Sequence, residues 1–206
     1  MAYAASNPAE NQGSTPLAIK LLVAGGFGVG KTTLVRAVTE IKSLHTEELI
    51  SDQGSDFGLP GGGAGGKTTT TVALDFGRIT IDDDIVLYLF GTPGQERFWF
   101  MWNELAFGAV GVIILADTRR LADCFPAVDY FELRRVPFVL AVNNFDGAPR
   151  FHSEAVRVAL DLDPEVPVIS CDARDRTSCR DALVVLVDYA RRLLESAPAA
   201  QGPAGR

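Results

Sequence analysis

Residues 19–33 constrain this chain more than any other stretch. They read Ile19-Lys20-Leu21-Leu22-Val23-Ala24, then Gly25-Gly26-Phe27-Gly28-Val29-Gly30-Lys31-Thr32-Thr33. An apolar run ends in a glycine-rich turn, and Leu34, Val38 and Ile41 follow at helical spacing. Strand, loop and helix together give Gly-x4-Gly-Lys-Thr the setting of a phosphate-binding loop. Glycines let backbone N–H groups approach phosphate oxygens, and the helix start adds a positive dipole. Lys31 suits the terminal phosphates, and the Thr32 hydroxyl suits Mg2+. The near-continuous apolar character of Ile19–Ala24 fits a central parallel strand covered on both faces.

The same pattern recurs at Gly61 to Thr68, where it fails. No strand precedes it, and Thr70-Thr71-Val72-Ala73-Leu74-Asp75-Phe76 alternates like a strand, not a helix. It lies in a Gly-rich stretch, Ser43 to Gly66, expected as a long mobile connection. Thr71–Ile81 and Ile85–Phe90 read as a hairpin joined by Asp82-Asp83-Asp84. That triple is expected as a solvated turn, because adjacent carboxylates on a tight turn diverge. Val110–Ala116, Phe138–Val142 and Val166–Ser170 are further strands. Phe125, Val128 and Phe131 mark a helix, and Ser153 is a cap for another through Leu160. Ser178-x-x-Asp181 resembles a capping box before a last helix carrying Leu183, Leu186, Val187, Ala190 and Leu194.

Strands alternating with helices predict an α/β fold of the P-loop NTPase type. Its sheet is expected to be mostly parallel and six-stranded, with helices on both faces and one β-hairpin. The phosphate loop, Gly91–Glu96, Asn143–Asp146 and Ser170–Arg174 all follow strands. They therefore converge on the carboxyl edge, where such sheets bind ligands. Residues 17–195 are expected as one domain, with 1–16 and 196–206 as disordered tails. The net charge of -7 argues against a nucleic-acid partner. Cys124, Cys171 and Cys179 lack metal-ligand spacing, which fits a reduced, cytoplasmic setting. No apolar run reaches the ~18 residues of a membrane span, and no lipidation box is seen, so no intrinsic membrane anchor is expected.

The order of these motifs resembles a Ras-superfamily small GTPase. It looks most like the bacterial branch related to the gliding-motility GTPase MglA, and especially the actinobacterial conservon ATP/GTP-binding proteins. Thr92-Pro93-Gly94-Gln95-Glu96-Arg97-Phe98 is the most specific part of the likeness. The resemblance implies GTP/GDP and Mg2+ as ligands. It assigns Gly28, Val29, Gly30, Lys31, Thr32 and Thr33 to the phosphates, and Thr32 and Thr71 to Mg2+. Thr68, Thr69 and Thr70 are alternative registers for Thr71. Gly94 resembles the glycine that senses the γ-phosphate, and Gln95 the glutamine that orients the attacking water. The catalytic set implied is Gln95, Lys31 and Thr71. Asn143, Asn144 and Asp146 take the place of the guanine reader, and Cys171, Asp172 and Ala173 that of the last base-contacting loop.

Two departures stand out. Gly91 replaces the aspartate that usually orients the Mg2+ water shell, and Asn144 replaces the lysine that packs over the base. They lead one to expect weak Mg2+ coordination, fast exchange and slow hydrolysis. A switch hydrolysing GTP slowly is the first reading. A nucleotide-binding scaffold with little or no turnover is the second, and an ATP-using P-loop enzyme the third. Phe98-Trp99-Phe100-Met101-Trp102 is either an association surface or a run whose alternate residues enter the core. By resemblance the partner is a Roadblock/LC7-domain protein, and recruitment to a membrane through a partner stays open. Arg97, Arg119 and Arg120 are in-chain candidates for an arginine finger.

Overall fold

β1 (Leu17–Gly25) is the centre of the sheet. It pairs in parallel with β4 (Ile85–Gly91) on one side and β5 (Gly111–Ala116) on the other. The computed structural model describes residues 15–42, 44–51 and 69–196, and the expected tails otherwise lie outside these residues. Beyond β5 come β6 (Phe138–Asn143) and β7 (Val168–Cys171), both parallel. Beyond β4 come β3 (Thr69–Thr80) and β2 (Leu44–Ser51), each antiparallel to its neighbour. The order is β2-β3-β4-β1-β5-β6-β7, a seven-stranded sheet.

All the strands read from the sequence are present, and β2 adds one at the edge. It occupies the first part of what was expected to be a mobile connection. Its Thr46-Glu47-Glu48 centre hid it, since an edge strand needs only one partner and is commonly charged. The rejected repeat at 61–68 falls within 52–68, outside the described residues.

The core follows from the two-residue period of β1. Leu21 and Val23 enter one apolar layer with Leu34 and Val35 of α1 (Lys31–Val38) and Leu183 and Leu186 of α5 (Arg176–Ser196). Leu22 and Ala24 enter the other. There they meet α2 (Trp102–Ala106), α3 (Phe125–Leu133) and α4 (Ser153–Ala159) through Trp102, Phe131 and Val156. All four β1 side chains are fully buried, as a central strand requires. Ile41 lies past the end of α1, and Leu194 on α5 is exposed.

Two cap assignments change. His152, not Ser153, caps α4, its ring nitrogen accepting from the Glu154 N–H. Asp175 opens α5 by accepting from the Ser178 N–H at 2.7 Å. Ser178 is already helical, and its hydroxyl accepts from the Asp172 N–H instead. Asp175 and His152 each precede a good capping residue, so sequence pattern alone could not separate the candidates.

The aromatic run splits by face. Phe98 and Trp102 are buried, Trp99 is half-buried and Phe100 is exposed. Trp102 stacks on Phe131 at 5.9 Å and meets Tyr130 edge-on at 5.1 Å. Its indole N–H donates to the Pro93 carbonyl at 3.1 Å, which ties the Gly91–Glu96 loop to the core. Trp102→Ala is expected to lower stability by about 3–5 kcal/mol. Chemical denaturation monitored by circular dichroism measures this directly.

Candidate functional site

The phosphate loop joins β1 to α1 at the point where the chain leaves β1 for one side of the sheet and later returns on the other. Gly30 adopts φ 109°, and a Cβ there would stand 2.6 Å from Asn143 Nδ2, so glycine is required twice over. Among the described residues no side chain caps α1, so its first-turn N–H groups are of the kind that phosphate oxygens can take. Lys31 folds back over the loop, its Nζ donating to the carbonyls of Gly25 (2.9 Å) and Gly26 (2.7 Å). Burial pushes its pKa down to about 8, with the charge of Asp75 acting in the opposite direction. Gly94 closes over this lysine, and a Cβ at Gly94 would come 2.6 Å from Lys31 Nζ. Val29 is buried beneath the loop, whereas Thr33 is exposed in the first turn of α1.

A carboxylate stands where Gly91 leaves space. Asp75 of β3 pairs with Gly91 of β4. A Cβ built on Gly91 would lie 3.0 Å from Asp75 Cβ and 3.2 Å from its Oδ2. The same Oδ2 accepts from the Thr32 hydroxyl at 2.5 Å. The two oxygens form a hard donor set of the kind that divalent cations such as Mg2+ take. Thr71 lies four residues earlier on β3, paired with Leu49, roughly 13 Å along the strand from Asp75. Gln95 is half-buried at the start of the 3-10 turn Glu96–Met101. In the same loop Thr92 is 2% exposed and its hydroxyl has no hydrogen-bond partner among the described residues. Asp82, Asp83 and Asp84 form a turn closed by the Ile81 N–H to Ile85 carbonyl bond, and no carboxylate cluster able to hold a metal occurs among the described residues.

At the other end of the site, Asn143 is a staple. Its Nδ2 donates to the Val29 carbonyl at 2.9 Å, and its Oδ1 accepts from the Ala173 N–H at 3.0 Å. One buried side chain thus fixes the phosphate loop against the β7–α5 loop. The Asn144 amide turns away to Ser170 at 2.8 Å, while its backbone N–H donates to the carbonyl of the buried Cys171. Asp146 is 88% exposed, and both its oxygens are held by Arg174. Arg174 also grips Asp172, which the resemblance places in the last base-contacting loop. Arg174 and Asp75 are the residues of this edge that motif reading missed. Neither could be found without the contact across strands or loops that defines it.

The arginine candidates are now distinguishable. Arg119 is locked by a two-pronged bond to the buried Asp117 and lies over the Phe145 ring at 4.1 Å. Arg120 donates to the Phe27 carbonyl at 2.9 Å, on the rim of the phosphate loop. The Arg97 side chain is outside the described residues.

A family model described as "Conserved hypothetical ATP binding protein" matches residues 23–192. The Ras-related protein Rab-32A of Dictyostelium discoideum is 30% identical over 171 residues, covering 77% of this chain and 68% of that protein. The solved G domain of the T. maritima FeoB iron transporter superposes with a TM-score of 0.58 at 20% identity, covering 84% of this chain and 99% of that one. The transporter's whole cytosolic domain gives a TM-score of 0.60 at 20% identity, and here the chain spans 65% of its length. At these identities the structural likeness carries the fold, a P-loop NTPase sheet with helices on both faces.

Proposed function

We propose that this chain, which belongs to the Ras-related protein family, is a GTP-binding switch that hydrolyses GTP slowly to GDP and phosphate. The observation that carries this reading is the convergence of the phosphate loop, Gly94, Asn143 and Asp146 on one sheet edge. Asp146 decides the base. A carboxylate accepts from two adjacent donors, as guanine presents at N1–H and its exocyclic amine; adenine offers no such pair. That favours GTP despite the ATP in the matching family's description.

In this reading the loop N–H groups and Lys31 hold the phosphates, with Thr33 at the start of α1 beside them. Gly94 closes against the γ-phosphate and Gln95 orients the water. Thr32 and Asp75 would hold Mg2+, which neutralises developing phosphate charge. The expectation of weak Mg2+ binding rested on Gly91; in this reading Asp75 supplies a carboxylate beside that position. Thr71 joins the site only if the end of β3 rearranges around the nucleotide. The likeness to the MglA-like and conservon branch, and a Roadblock/LC7 regulator, remain part of this proposal. The exposed Phe100, on the segment that follows Gln95, is where such a partner would read the nucleotide state. No helix among the described residues is long and apolar enough to cross a membrane, and we retain the cytoplasmic assignment with recruitment through a partner.

The scaffold reading is favoured by one observation, the absence of a lysine at Asn144. Single-turnover phosphate release with Mg2+ separates the two. The switch reading expects slow, complete turnover of bound GTP, and no release over hours would leave the scaffold.

Lys31 adds a pH dependence. Held near pKa 8 in the free chain, it is charged below that pH and neutral above it. Bound phosphates favour the charged form, so binding takes up a proton above pH 8. Nucleotide affinity is expected to fall there by up to about tenfold per pH unit. The unfolded chain retains this proton to higher pH, so Lys31 makes the free protein more stable, not less, as pH rises above 8. Calorimetry in buffers of different ionisation enthalpy reads the proton uptake.

A further inference from the structure

The hydrogen bonds of Asp146 among the described residues come from one side chain. Arg174 Nη1 donates to its Oδ2 at 2.9 Å and Nη2 to its Oδ1 at 3.2 Å. These are parallel N–H donors on one edge of a planar group, so they take the lone pair of each oxygen that points the same way. The other two lone pairs diverge. Guanine carries a guanidine unit of its own, in which N1–H and the exocyclic amine are parallel donors on neighbouring nitrogens. They need the same two lone pairs. Arginine and base therefore compete for one edge of Asp146.

We infer that Arg174 is a latch on the base reader: it occupies the guanine-facing edge of Asp146 in the free chain and must pivot off before guanine is read. The inference rests on the guanine-reading role proposed for Asp146. The fold also gives the released arginine a place to stay. A second edge of the guanidinium holds Asp172, with Nε donating to Oδ1 at 3.0 Å and Nη2 to Oδ2 at 2.9 Å. The Arg174 backbone N–H is tied to the same Oδ1 at 2.9 Å, so this pair is anchored at its root. Giving up Asp146, and the long 3.4 Å reach of Nη2 to the Asn144 carbonyl, thus does not strand the charge. Guanine in turn makes two hydrogen bonds to Asp146 where arginine made two. Both partners of the latch are exposed, at 55% for Arg174 and 88% for Asp146, so water screens the bond that opening breaks. A latch of this kind lowers apparent affinity by the fraction of chains that stand open, and leaves the bound state as it is.

Stopped-flow association of a fluorescent GDP with the full, nucleotide-free chain tests this. Arg174→Ala is expected to speed association by about two- to fivefold, the range set by an exposed ion pair, with dissociation close to that of the parent. Loss of a positive charge alone would slow the approach of an anionic nucleotide, the opposite sign. Arg174→Lys keeps the charge without the parallel donors and should fall between. The gap between Arg174→Ala and the parent should close as salt is raised. In the Asp146→Ala background, Arg174→Ala should not speed association, because the latch acts only through that carboxylate. Thermal melting checks that each variant is folded. Association in Arg174→Ala equal to or slower than in the parent, or an acceleration that persists without Asp146, would overturn the inference. A parent chain that shows no preference for GDP over ADP, and none lost in Asp146→Ala, would sink the Asp146 reading and the latch with it, an outcome distinct from the others.

Discussion

Asp75→Ala is expected to raise the Mg2+ concentration needed to retain bound GDP by about ten- to a hundredfold. The carboxylate accepts from Thr32 and fills the space beside Gly91. Facing residues on paired strands share a face of the sheet, and here a Cβ on Gly91 would lie 3.0 Å from Asp75 Cβ. An acid on β3 can therefore serve the same point as one on β4. The pair is also mutually exclusive. With Asp75 in place, Gly91→Asp would force two carboxylates together, and like charges that close cannot both stay ionised cheaply. The compensating change is Asp75→Gly with Gly91→Asp. Glycine is needed at 75, because the two Cβ atoms would otherwise sit 3.0 Å apart. The double variant should recover most of the Mg2+ dependence that Asp75→Ala loses. Release of a fluorescent GDP across a Mg2+ titration measures all three. An Asp75→Ala release curve that matches the parent would remove Asp75 from the metal site.

Asp146→Ala should abolish the choice of base. Two hydrogen bonds to an ionised acceptor are each worth about 1.5–3 kcal/mol. Their joint loss is two to four powers of ten in guanine affinity, with adenine affinity almost unchanged. The exposure of Asp146 limits collateral damage, since its side chain is 88% exposed and its hydrogen bonds among the described residues come from Arg174. Asn143→Ala makes an instructive contrast. Asn143 is buried and joins the phosphate loop to Ala173, so its removal should damage binding of both bases along with stability. Selective loss at 146 against general loss at 143 separates a base contact from a structural staple. Competition binding on the two variants, beside their melting curves, reads the difference.

What was legible in this chain was local. Ile19–Thr33 declares strand, loop and helix through contiguous residues, and the alternation of later elements sets the sheet. The Asn143 and Gly94 positions follow because each motif sits directly after a strand. What was not legible depends on contacts between distant segments. Asp75 looks like one polar residue in an alternating strand until the β3–β4 register puts it opposite Gly91. Arg174 looks like a surface arginine until two loops bring Asp146 and Asp172 to it. The edge strand β2 was hidden by its own polarity, and the true caps of α4 and α5 by equally good neighbours. The departures at Gly91 and Asn144 share one feature: each lies beside a charged side chain from another segment, Asp75 of β3 in one case and Arg174 of the β7–α5 loop in the other.

The proposed function stands on this edge binding guanine nucleotide in preference to adenine nucleotide. Its most direct test is competition of GTP, GDP and ATP for a fluorescent guanine nucleotide on the parent chain, with and without Mg2+. Displacement is expected by GTP and GDP at similar low concentrations, tighter with Mg2+, with at least about a hundredfold more ATP for the same effect. Displacement by ATP at equal concentration, or no nucleotide binding at all, would contradict it.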